Sequence, residues 1–78
     1  MVVCGELDSA FDCENENGGI IMDGIQQQQC STACAERAYG RPGCCEWQTD
    51  WKRCIYVPGA NTKIHADRNT LAIRCTRK

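Results

Sequence analysis

Hydrophobic and polar positions alternate over short stretches of this chain, and one segment switches to the helical period. Met1–Gly5 reads as a short strand, with Val2 and Cys4 on one face. A polar stretch, Glu6–Gly19, follows and ends in Asn17-Gly18-Gly19, residues that tolerate the positive φ of turns. Ile20-Ile21-Met22 is a short apolar strand or staple. Asp23 then has the side chain of a helix N-cap, and Gln26 three residues on completes a capping-box pattern. The spacing predicts a helix over 24–39, stopped by Gly40 and Pro42. Cys30, Ala33, Cys34, Arg37 and Ala38 share one face of it. Their small side chains let a helix lie close to a sheet, with Arg37 at the rim.

A hairpin pattern comes next. Cys44–Gln48 and Arg53–Val57 read as its strands, and Thr49-Asp50-Trp51-Lys52 as its turn. Pro58-Gly59 ends the second strand, and 60–70 reads as irregular, holding the single histidine, His65. Leu71–Cys75 alternates again as a last strand, with Leu71, Ile73 and Cys75 inward. There is no internal repeat and no linker long enough to divide the 78 residues, so 1–78 is expected to form a single domain.

Composition changes this picture at one point. Eight residues are cysteine: 4, 13, 30, 34, 44, 45, 54 and 75. An even count spread over a short chain reads as a disulfide framework in an oxidising compartment. A domain of this size buries only roughly 60% of the surface its unfolded chain exposes. Cross-links worth roughly 2–4 kcal/mol each make up for a small core. The expected localisation is secreted or extracellular. Met1-Val2-Val3 is too short for a signal-peptide core, so the chain reads as a mature protein or an excised module. No apolar run approaches the ~20 residues of a membrane span, and no membrane insertion is expected.

Charge adds an asymmetry. Net charge is −1, yet residues 1–50 carry nine acids and two bases, and residues 51–78 seven bases and one acid. Two readings stay open: the halves neutralise each other in space, or the basic end meets an anionic partner. No nucleic-acid partner is expected.

Positions 30 and 34 lie one turn apart on a helix face, and the hairpin sets 44 and 54 on neighbouring strands. Eight cysteines allow 105 connectivities, and this layout does not select one. The pattern Cys30-Ser31-Thr32-Ala33-Cys34, then Gly43-Cys44-Cys45-Glu46-Trp47, then Cys54-Ile55-Tyr56 resembles the PAN/apple module, and more weakly WSC-type lectin modules. The likeness covers about 23–57 well and the ends loosely. It implies a small disulfide-rich α+β domain: one helix packed on a twisted antiparallel sheet with a central hairpin. It also implies bridges Cys34–Cys44, Cys30–Cys54 and Cys4–Cys75, with Cys13–Cys45 as a fourth pair. The Cys44-Cys45 doublet departs from the family pattern, so the partner of Cys34 stays open between the two. Trp47 aligns with the core aromatic of that hairpin.

Such a likeness implies non-catalytic recognition of a protein or glycan, as one unit of a larger adhesive protein beside neighbouring modules. The alternative is a free-standing secreted peptide: a diffusible signal, toxin or inhibitor. Trp51, Lys52 and Arg53 are the candidate ligand-binding residues. They set an aromatic ring and two cations at the turn, a composition enriched in interface hot spots. The competing reading folds Trp51 back as packing. No enzyme is expected, because a cysteine nucleophile needs a free thiol of low pKa. No metal or cofactor is expected either: paired zinc knuckles are missing, and His65 reads as a surface loop residue.

Overall fold

The computed structural model describes residues 1–64 and 69–78. His65 lies outside the described residues.

The hairpin is the centre of the molecule. Strands β4 (Gly43–Gln48) and β5 (Arg53–Pro58) pair antiparallel, with Gln48 opposite Arg53 and Trp47 opposite Cys54. The last strand, β7 (Thr70–Arg77), pairs antiparallel with the other edge of β4. The first, β1 (Val2–Cys4), closes the sheet on β7. On the far side β3 (Ile20–Met22) pairs with β5. The order is therefore β1-β7-β4-β5-β3, antiparallel throughout.

Two further strands occupy segments that read as loops. β2 (Phe11–Cys13) and β6 (Thr62–Ile64) pair antiparallel as a separate two-stranded sheet. Each is only three residues long, too short to show a period of two. β2 packs against β7 and β4. Asp8 and Ala72 exchange backbone hydrogen bonds of 3.0 Å, which ties the chain before β2 to β7.

The helix α1 runs Gln27–Arg37, shorter at its start than expected. Gly24 sits at φ +79, so the helix cannot begin at Asp23. Gln26 is the N-cap instead, and a capping box joins Gln26 to Gln29. At the other end Tyr39 (φ +49) and Gly40 (φ +80) turn the chain left-handed. Cys30, Cys34 and Ala38 are its buried face, as their spacing predicts, and Arg37 is exposed.

The five-stranded sheet buries both faces. The helix side holds Val2, Met22, Cys45, Trp47, Tyr56 and Cys75 against α1. The opposite side holds Cys13, Cys44, Ile55, Val57, Ala60 and Ala72, with Phe11 packed against them. Parity along β4 sets this division: residues 43, 45 and 47 face the helix, and 44, 46 and 48 face away.

That parity corrects the pairing implied by the family likeness. The bridges are Cys4–Cys75, Cys30–Cys54, Cys34–Cys45 and Cys13–Cys44. Cys45 shares the helix-facing side with Trp47 two residues on, so it meets Cys34. Cys44 points the other way, toward β2, and meets Cys13. The two halves of the doublet thus staple different layers to the same strand.

Gly43 marks a close backbone approach in this core. A Cβ there would lie 2.4 Å from the carbonyl oxygen of Val57 and 2.9 Å from the Cα of Pro58. Both atoms are backbone of the paired strand β5, so neither can swing aside. Gly43→Ala should therefore destabilise by about 1–3 kcal/mol. A thermal melt monitored by circular dichroism checks this.

Candidate recognition site at the hairpin tip

Four residues, Thr49–Lys52, join β4 to β5. The amide of Lys52 donates to the carbonyl of Thr49 at 3.3 Å, and Lys52 closes the turn at φ +50. The amide of Thr49 donates to the carbonyl of Asn69 at 2.8 Å, anchoring the turn to the segment before β7. The turn places Trp51 outward: its side chain is 72% exposed. The packing reading of Trp51 is therefore not the arrangement found. Trp47, by contrast, is 4% exposed and belongs to the helix-side core. Tyr56 is fully buried, and its hydroxyl donates to the carbonyl of Arg41.

The three candidate residues come together unevenly. The Arg53 guanidinium carbon lies 5.4 Å from the centroid of the Trp51 ring, within cation–π range. Arg53 also donates from Nε to Oε1 of Gln48 at 2.7 Å. Lys52 is exposed on the other side of the turn. There it lines a cavity of about 380 Å³ with Thr49, Trp47, Ile25 and the first residues of α1. A second cavity, of about 290 Å³, opens beside Trp51 and is lined by Asp12, Glu16, Gln48, Asp50, Asn69 and Thr70. The tip thus separates a surface carrying Lys52 from one rich in carboxylates.

Sequence reasoning missed the group beneath that second surface. Glu46 is fully buried on the β2 side of the sheet. Its Oε1 accepts from the amide of Cys13 at 3.0 Å, and its Oε2 accepts from Nε2 of Gln48 at 2.9 Å. The carboxylates of Asp12, Glu16 and Glu46 converge within 4.8 Å of one another. Burial, reinforced by hydrogen bonding to Asp12, pushes Glu46 up to about 9. Near neutral pH it therefore holds a proton and serves as a neutral hydrogen-bonding group rather than a charge. The available signal was the strand alternation: Glu46 shares its face with Cys44.

The sulfurs of Cys30, Cys34, Cys45 and Cys54 also lie within 4.8 Å of one another. They are consumed in two stacked disulfides, Cys30–Cys54 and Cys34–Cys45, and all eight cysteines of the chain are bridged. No thiolate is left for nucleophilic chemistry in this oxidised form.

Comparison with family models, with curated proteins and with solved structures gives no match for this chain.

Proposed function

We propose that this domain is a non-catalytic extracellular recognition module whose binding surface is the β4–β5 tip: Trp51, Arg53 and Lys52. The observation that carries the proposal is the exposed Trp51 ring with the Arg53 guanidinium stacked beside it. An indole left in water at a disulfide-braced turn contributes nothing to the core. Its exposed apolar area becomes favourable when a partner covers it. Four disulfides fit an oxidising, extracellular setting. No helix among the described residues is long and apolar enough to cross a membrane.

The PAN/apple likeness supports the same reading. One helix bridged twice to a hairpin, with a clasp between the terminal strands, agrees with that module's layout. The Cys13–Cys44 bridge lies outside the set of pairs which that likeness implies. On this reading the partner is an extracellular protein or glycan, and the chain works as one unit among neighbouring modules.

Screening against glycan and extracellular-protein arrays tests the proposal, with the parent chain and Trp51→Ala compared side by side. The parent should give binders that Trp51→Ala loses by tenfold or more, with the melting temperature within about 3 °C of the parent. A Trp51→Ala variant that binds equally well would remove the tip from the site.

A further inference from the structure

Three side chains form a continuous path from the buried acid to the exposed indole. Gln48 and Arg53 face each other across the hairpin register. Arg53 Nε–H donates to the Gln48 carbonyl oxygen at 2.7 Å, and the same amide donates from Nε2 to Glu46 at 2.9 Å. A primary amide has one accepting end and one donating end. The two bonds therefore fix its orientation, because a flipped amide would set N–H against N–H at Arg53. Glu46 is itself held by the amide of Cys13, a residue bridged to Cys44 two positions away on β4. The path ends where the guanidinium lies over Trp51 at 5.4 Å.

We infer that Gln48 is a positioning residue of the hairpin-tip surface, holding the Arg53 guanidinium over the Trp51 ring, with the buried Glu46 side chain as its anchor. Its importance for binding rests on the tip being the recognition surface; the path itself does not. An arginine side chain loses much rotamer freedom when a partner immobilises it. Holding it in place beforehand removes that cost from the binding step. Releasing it should weaken a partner that uses Arg53 by roughly threefold to tenfold.

Nuclear magnetic resonance of the labelled chain tests this without a ligand. In the parent, the Arg53 side-chain protons should be shifted upfield by the Trp51 ring, and its Nε–H should exchange slowly with water. In Gln48→Ala the upfield shift should collapse, and exchange should quicken at least tenfold. Backbone peak dispersion should stay that of the parent. Glu46→Gln, whose single oxygen cannot serve both the Cys13 amide and the Gln48 amide, should move the Gln48 Nε2–H resonances. Unchanged Arg53 shifts in Gln48→Ala would overturn the positioning role. Unmoved Gln48 amide resonances in Glu46→Gln would overturn the anchor. Neither result depends on what Trp51→Ala does to binding, so failure of the path and failure of the recognition reading are separable.

Discussion

Replacing Cys30 and Cys54 together with alanine should lower the melting temperature by roughly 15–25 °C. The bridge spans 24 residues. Chain-entropy arithmetic for a loop of that length gives about 3.5 kcal/mol, and 1 kcal/mol moves the midpoint of a domain this size by about 4–8 °C. Both sulfurs are fully buried between α1 and the sheet, so the double variant also leaves a void. The helix would keep its second staple, Cys34–Cys45, and should stay docked at low temperature. Thermal melts of the two proteins without reductant measure the difference. A melting temperature within about 5 °C of the parent would mean that this bridge does not brace the helix against the hairpin.

The second large effect belongs to Glu46. Its carboxyl is raised from 4.5 to about 9 in the folded chain by burial and by its hydrogen bond to Asp12. The unfolded chain releases this proton near the ordinary value, whereas the folded chain keeps it. Between those two limits the folded state binds more protons, so stability falls as pH rises. The contribution is complete at and below about pH 4.5, declines across the interval, and is gone above about 9. Melting temperature should fall between pH 5 and pH 9, at most on the order of 5–10 °C per pH unit. Glu46→Gln is uncharged at every pH, but its single oxygen can serve only one of the two N–H groups, from Cys13 and Gln48, that the acid accepts. It should flatten the profile and lie below the parent near pH 5. A parent profile that is flat or rising from pH 5 to pH 9 would show that the buried acid ionises at an ordinary pH.

Much of the fold was legible in the residues themselves. The hairpin strands alternate cleanly, and the helix announces its buried side through Cys30, Cys34 and Ala38. The terminal clasp Cys4–Cys75 joins two segments that read as strands. What escaped had physical reasons. β2 and β6 are too short for periodicity and owe their existence to each other and to the sheet beneath, a tertiary effect. The start of the helix was set by a backbone feature, the left-handed Gly24, which overruled a good N-cap side chain at Asp23.

Strand parity sets Cys44 and Cys45 on opposite faces and puts Cys45 on the side of Trp47. Both faces of the sheet are buried, so which side meets the helix needed the three-dimensional arrangement. The same parity assigns Glu46 and Gln48 to the Cys44 side, which is where the buried acid and its path to the tip are found. The binding residues were legible only as types. Sequence showed an aromatic ring and two cations at a turn. Their separation onto different surfaces, Arg53 with Trp51 and Lys52 across the turn, needed the three-dimensional arrangement.

The pairing of the doublet tests the account most directly, because it fixes which face of β4 carries Glu46, Gln48 and the approach to Arg53. Partial reduction and alkylation of the native chain, followed by fragmentation mass spectrometry that cleaves between positions 44 and 45, reads it out. The structure predicts Cys13 joined to Cys44 and Cys34 joined to Cys45. Cys34 joined to Cys44, with Cys13 on Cys45, would reverse the faces of the strand and contradict the site built on them.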